Sequence, residues 1–441
     1  MSKTFSDFVF RGYHFDKESK TLKLNYSFDE ELKFTEEFRF DFPFITYNTE
    51  ALDRACQTLF FLAGVSYYKA YRTDNIRIDH GKLDKAGAAF FAEVYQRGLG
   101  EYFYVNKLDP QTEIPFVANA PDLRPIHIES GGSVNRGAII GLGGGKDSLV
   151  TVELLRSQPH IATWSLGHRK QMEPLVRAID LPHLWVERTI DPLIIELNNQ
   201  DALNGHIPIS AIFSAVGTIV AILSGHRDNV VSNENSSNEP TLHYNGEDIN
   251  HQYSKSLDYE VLYQKYLDHL FGEGSRYYSF LRPFSEIRIA QMFSELGYEK
   301  YKHVFSSCNR AYVQSSNKMS WCGQCSKCAF VFLALTPFIE RRELEKLWHK
   351  NLLLDPTLVT TYENLLGIDG EKPLDCVGEI KESREAMRLA QEQYKGLAYE
   401  FDIPKGYSYK TIAPHSMPED VYALLDRYTA ATAPSKSQAA K

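Results

Sequence analysis

The segment Gly143-Gly144-Gly145-Lys146-Asp147-Ser148 constrains the fold more than any other part of the chain. It follows a short apolar run, residues 138–142, and precedes Leu149, Val152 and Leu155, which are spaced to share one face of a helix. The pattern predicts a strand, a glycine-rich loop and a helix in immediate succession. Adjacent glycines let consecutive backbone N–H groups converge on an oxyanion, and a helix N-terminus adds partial positive charge there. Lys146 and Ser148 offer further donors, leaving Asp147 to orient magnesium or the loop itself. The alternative is a turn that merely joins strand to helix, but such a turn does not require a Lys-Asp-Ser finish. The loop also differs from G-x-x-x-x-G-K-[ST], because its glycines are adjacent and its lysine precedes an aspartate.

Further apolar runs at 161–166, 184–186 and 229–232 alternate with helical segments. They predict βαβ units and a doubly wound parallel α/β domain over residues 131–340. Ligands of such sheets lie beyond the carboxyl ends of the strands. Ser232-Asn233-Glu234 falls at such an end, and Glu234 is a candidate magnesium ligand. Residues 250–256 crowd polar and aromatic side chains; His251, Tyr253 and Lys255 are candidate acid/base groups, unless the stretch is a solvated loop with a helix cap. Arg282, Arg288 and Arg310 are either grips for phosphates and carboxylates or ordinary surface cations. Cys376, next to Asp375, reads as a catalytic thiol or as a buried structural one.

Around this domain, Leu22, Leu24, Tyr26 and Phe28, then Phe38, Phe40 and Phe42, alternate with polar residues as half-buried strands do. Asn48 is placed to cap a helix over 51–71, a second helix is expected over 85–95, and Pro121 and Pro125 end an α+β domain at about residue 130. Residues 341–429 read as a charged helical region interrupted at 367–378. The small, polar stretch 430–441 is expected to be disordered. The apolar run 207–223 falls short of the ~20 residues that span a bilayer, so it predicts a buried helix. With 57 acidic against 48 basic residues the chain carries a formal charge of −9, so no global basic field recruits nucleic acid or anionic membrane. No basic start followed by an apolar stretch marks residues 1–10 as a signal, and the chain is expected in the cytoplasm.

Four of the six cysteines gather at Cys308, Cys322, Cys325 and Cys328. Two-residue gaps let thiolates turn toward a common centre, and four thiolates suffice for a closed tetrahedral zinc. Redox or sulfur-carrying thiols, and plain reduced cysteines, are the alternatives.

The glycine loop resembles the S-G-G-x-D-S loop of the ATP pyrophosphatase (PP-loop) superfamily, with Gly143 in place of its leading serine. The resemblance implies an adenine nucleotide alpha hydrolase-like sheet, cleavage of ATP to AMP and pyrophosphate, and adenine near residues 165–168, where His168 is either a neighbour of the base or a surface histidine. Enzymes of that superfamily that form 7-cyano-7-deazaguanine carry a similar cysteine block holding structural zinc. More specifically, residues 62–70, the loop, Ser232-Asn233-Glu234, residues 251–255, the cysteine block and residues 375–378 occur in the same order in the bacterial UDP-N-acetylmuramoyl-L-alanyl-L-glutamate epimerases, the MurL family, which the chain resembles from about residue 50 to 380. That resemblance implies ATP-dependent conversion of the terminal L-Glu of UDP-MurNAc-L-Ala-L-Glu to D-Glu through an acyl-adenylate, with ATP and magnesium and, among the acid/base candidates, Lys255, His251, Tyr253 or Cys376. A nucleobase- or tRNA-modifying enzyme and a non-catalytic nucleotide sensor are the competing readings.

Overall fold

The computed structural model describes residues 4–126, 128, 137–200, 202–312, 319–369, 372–394, 397 and 399–429. The stretch 430–441, expected to be disordered, lies outside the described residues.

The alternating N-terminal segments form an antiparallel meander of β1 (Asp7–Asp16), β2 (Thr21–Phe28) and β3 (Leu32–Asp41), with β4 (Asn75–Ile78) parallel to β1. Asn48 caps the helix Thr49–Ala63, its side chain accepting from the Glu50 and Ala51 amides. This helix is interrupted once within the expected span, resuming over Val65–Tyr68. Gly64 breaks it where a β-carbon would stand 2.6 Å from the Phe10 ring. The segment 62–70 is therefore core material, with Tyr67 and Tyr68 buried beside Phe8, Phe34 and Tyr95.

The apolar runs of the central region become β5 (Ala138–Gly141), β6 (Ile161–Leu166), β7 (His183–Thr189), β8 (Asp228–Val231) and, after a small hairpin of β9 (Leu242–Tyr244) and β10 (Glu247–Ile249), β11 (Arg276–Ser279). They pair in parallel in the order β11-β8-β5-β6-β7. The chain thus winds outward from β5 in both directions, and the order reverses between β5 and β8. Both faces are covered, as a parallel sheet requires. Ile139 joins one core with the helices Thr49–Ala63, Ile209–Ser224 and Leu257–Phe271. Ala138 and Ile140 join the other with Lys146–Leu155, Arg169–Ile179, Glu286–Leu296 and Ser326–Leu335.

The two sheets are one. β3 pairs antiparallel with β7, Phe40 opposite Val186, giving nine strands in the order β11-β8-β5-β6-β7-β3-β2-β1-β4. The pairing closes what would otherwise be the open edge of the parallel half. The helix Ile209–Ser224 is buried as expected. Its polar residues have partners, because Ser214 shares a hydrogen bond with the Tyr259 hydroxyl (2.5 Å) and Thr218 with that of Tyr263 (2.9 Å). No described helix is long and apolar enough to cross a membrane. Toward the C-terminus, helices Arg341–Trp348, Val359–Leu366 and Ile380–Gln393 flank the second core, whereas residues 399–418 carry neither helix nor strand.

Candidate active site

The glycine loop leaves β5 at the point where strand order reverses, so it opens into the crevice where α/β sheets bind ligands. Gly144 has φ +85°, and a β-carbon there would stand 2.6 Å from the Tyr312 hydroxyl and 2.7 Å from the Met319 sulfur. Only glycine fits. Nothing lies within 4 Å of where a Gly143 β-carbon would be, so the other side of the loop is open. Gly145 caps the helix Lys146–Leu155 without a side-chain hydrogen bond, leaving first-turn amides for an anion. The strip after residue 305 backs the loop: the Ser306 amide donates to the Gly144 carbonyl (3.0 Å) and the Tyr312 hydroxyl to that of Gly143 (3.0 Å). His168, left-handed at the end of β6, stacks on Tyr312 at 4.2 Å.

Behind the loop lies a buried cluster of charges. The Lys146 ammonium binds both Asp147 and Glu286, and Lys327 stands 3.9 Å from the second Glu286 oxygen. Burial alone would raise the Asp147 carboxyl, but Lys146, Lys327 and Lys255 outweigh it and hold it below the usual carboxylate range. Burial wins at Glu286, whose carboxyl is pushed up. Glu382 accepts from the Glu286 amide (2.9 Å), and burial, then Glu379 and Glu286, push its carboxyl to about 8.

Lys255 and Cys376, far apart in sequence, meet in the same place. The ammonium donates to the Cys376 sulfur at 3.1 Å. Burial works against both charges, yet Cys376, Glu234 and Asp147 raise the Lys255 ammonium, while Lys255 and Lys327 hold the Cys376 thiol below its ordinary value. Glu234 is buried at the end of β8, close enough for its charge to act on Lys255. His251 is buried too; its Nδ1 shares a hydrogen bond with Thr241, and burial, with Lys255 and Lys372, lowers the imidazole to about 4. Tyr253 points elsewhere, with its ring under the Arg97 guanidinium at 4.3 Å and against Tyr259 in the core.

Of the three arginines singled out, Arg282 is fully buried and all five of its donors are taken, by Glu260 (3.1 and 3.0 Å), the Glu234 carbonyl (2.7 Å), Ser237 (2.8 Å) and the Lys255 carbonyl. It shapes the site from behind. Arg288 binds Gln291, and the Arg310 amide donates to the Cys308 sulfur.

The four cysteine sulfurs lie within 4.8 Å of one another. Two of the edges, Cys308–Cys325 and Cys322–Cys328, measure 3.9 and 3.8 Å. A tetrahedron with zinc–sulfur bonds of about 2.3 Å has edges of about 3.8 Å, so the set fits that ion. Amides of Arg310 and Cys322 donate to Cys308 Sγ at 3.4 Å, as they would to a thiolate. The cluster anchors the strip that backs the glycine loop. It also starts the helix that delivers Lys327, whose ammonium binds the Cys376 carbonyl.

Sequence reasoning brought together Gly143, Gly144, Gly145, Lys146, Asp147, Ser148, Glu234, Lys255 and Cys376, with His251 beside them, but missed Glu286 and Lys327. The one available signal was Lys327, the only cation inside the Cys322–Cys328 block.

Comparison with known proteins places the whole chain. A family model described as the MurL N-terminal domain matches residues 1–280, and one described as the MurL C-terminal domain matches 304–398. The UDP-N-acetyl-alpha-D-muramoyl-L-alanyl-L-glutamate epimerase of Salinispora tropica is 36% identical over 394 residues, covering 88% of this chain and 85% of the relative. Its namesake from a Micromonospora species is 35% identical over 404 residues, covering 88% and 87%. That of Xanthomonas oryzae pv. oryzae is 38% identical over 348 residues, covering 78% and 75%. Two family models in chain order and relatives aligned over most of their length lead to one conclusion: this chain belongs to the MurL epimerase family.

Proposed function

We propose that the enzyme converts the terminal L-Glu of UDP-MurNAc-L-Ala-L-Glu to D-Glu in the cytoplasm, for peptidoglycan synthesis, and that it activates the glutamyl carboxylate as an acyl-adenylate, releasing AMP and pyrophosphate. The observation that carries the reading is a glycine loop with free helix-end amides set against the buried charges of Lys146 and Glu286 and the half-buried ones of Asp147 and Lys255. One half suits a polyphosphate and the other suits proton transfer.

The α-proton beside a carboxylate is hard to remove, because the carbanion would adjoin an anion. An acyl-adenylate is neutral at that carbonyl and spreads the charge as an enolate. On a PP-loop reading, residues 143–148 hold the pyrophosphate portion of ATP, and a glutamyl oxygen attacks the α-phosphorus as pyrophosphate leaves. Asp147 and Glu234 are the acidic groups that would hold magnesium, which would shield phosphate charge. A base then takes the α-proton, a proton returns on the opposite face, and water splits the acyl–phosphate bond. Coupling to ATP gives direction, since diastereomers differing at one centre sit near equality and ~1.4 kcal/mol shifts a ratio only tenfold. Cys308, Cys322, Cys325 and Cys328 would hold a structural zinc that braces the strip behind the loop.

The test is incubation with ATP, magnesium and UDP-MurNAc-L-Ala-L-Glu in deuterium oxide. The expected products are AMP, pyrophosphate and a terminal D-Glu labelled at its α-carbon, with free L-Glu a poor substrate because it lacks the remote binding groups. AMP formed only from a deazaguanine carboxylate and ammonia would replace this reading, and ATP bound but never cleaved would point to a sensor.

A further inference from the structure

We propose that Cys376 and Lys255 are the proton-transfer couple, Cys376 working on one face of the glutamyl α-carbon and Lys255 on the other. The proposal rests on the epimerase reading above and names the groups that it requires.

The two residues are 121 positions apart, yet Nζ and Sγ meet at 3.1 Å. Each is pinned by its own backbone: Arg282 binds the Lys255 carbonyl and Lys327 the Cys376 carbonyl. Beside them His251 is 6% exposed, and its Nε2 makes no hydrogen bond of good geometry among the described residues while facing the backbone of Asp375. A half-buried cation on a half-buried thiol, with a buried polar atom left unfilled alongside, is a costly arrangement if it serves only packing. The same arrangement is what an epimerase needs. Tyr253 is turned into the core under Arg97, and His251 resists protonation.

The step balances without any further reagent. Cys376 as thiolate takes the α-proton: the C–H bond breaks, an S–H bond forms, and the electron pair moves into the acyl carbonyl as an enolate. Lys255 as ammonium then gives a proton to the opposite face: an N–H bond breaks and the new C–H bond forms with the enolate pair. The enzyme is left with a thiol and a neutral amine, the opposite of its starting state. The glutamyl α-carbon has to part the 3.1 Å contact when it enters between the two groups; when product departs the contact re-forms, and the proton passes from sulfur to nitrogen and restores the couple. The acyl-adenylate is formed next door, because Lys327 bridges the Cys376 carbonyl and Glu286, the partner of Lys146 on the loop.

The experiment separates adenylation from proton transfer by following AMP release, deuterium at the α-carbon and configuration together. In deuterium oxide, Cys376→Ser and Cys376→Ala are expected to keep substrate-dependent AMP release while incorporation of label falls by about 10²-fold or more. Lys255→Arg keeps the charge beside the thiol but gives up no proton, so it is expected to label L-Glu without forming D-Glu. That signature belongs to a one-sided site, and a merely structural lysine would not produce it. Normal D-Glu formation by Lys255→Arg would overturn the role of the lysine, and undiminished label in both Cys376 variants would overturn that of the thiol. AMP release lost in step with label, at an unchanged melting temperature, would assign the pair to adenylation instead. A wild-type enzyme that makes neither AMP nor label with this substrate would defeat the epimerase reading itself.

Discussion

Two ion pairs are buried at the same end of the sheet, and they are built on opposite principles. Arg282 and Glu260, with side chains 0% and 1% exposed, are saturated: every guanidinium donor has an acceptor, and Glu260 also accepts from the Ser279 amide and the Ser416 hydroxyl. Lys146 and Glu286, 2% and 1% exposed, are instead part of a crowd in which Asp147, Lys327 and Lys255 act on one another and carboxyl groups are displaced in both directions. A saturated pair can only hold a shape. An unsaturated one can take up a phosphate, a metal or a proton, so the unsaturated pair is where chemistry is to be sought.

The sharpest way to break this contrast is Arg282→Met, which leaves the buried Glu260 charge without its cation. It is expected to cost about 3–5 kcal/mol in denaturant unfolding, because removing one partner leaves a buried charge. Lys cannot restore it, having three donors and no fork. An unchanged unfolding midpoint would show that the clamp is not structural. Next comes Lys146→Ala, expected to lower AMP release by about 10²–10³-fold, or about 2.7–4 kcal/mol of activation energy. Its unfolding midpoint should move less than that of Arg282→Met, since Glu286, already pushed up, can take a proton and go neutral. Gly144→Ala probes the loop with a smaller change: the left-handed backbone costs about 1–2 kcal/mol, and the new methyl meets Tyr312 and Met319. A melting temperature and AMP release equal to wild type would mean that the loop is free to change shape.

The mildest effect, taken one group at a time, comes from histidines that carry no charge. Burial drives His183 down to about 3 and His226 and His251 to about 4. An unfolded histidine takes a proton near pH 6.5, before the folded one does. The stability these groups give is therefore complete above that pH and drains away as pH falls toward 4, at about 1.4 kcal/mol per pH unit for each. Unfolding midpoints at pH 7.5 and 5.5 test the slope. His183→Gln, replacing a ring held by Thr163 and Ser165, should make it shallower by one such increment.

The parts of the site that could be read from the sequence are those whose partners are near in the chain. Glycines 143–145 act with the helix that follows them, and Cys322, Cys325 and Cys328 lie close together where a loop enters a helix. Glu286 and Lys146 are 140 residues apart and meet only because their helices pack side by side, which no local pattern encodes. Tyr253 shared its polar surroundings with Lys255 but not its direction, and a rotation of the chain between the two residues turns one into the core and the other toward Cys376. The strands behaved alike: period-2 alternation named the buried face of β3 but could not name β7 as its neighbour, because pleat alternation carries no record of which edge is met.

That neighbour arrives late. While the chain is being made, β3 has to wait for about 150 further residues before β7 exists, about 8 to 30 seconds at 5–20 residues per second. For that time the meander β1–β3 shows a bare edge, the kind of surface on which nascent chains aggregate. Lys33, Thr35 and Arg39, exposed along β3, with Glu37 between them, put charge and polarity on that edge. Charge and polarity of that kind make a strand a poor template for a wrong partner before its proper one is made.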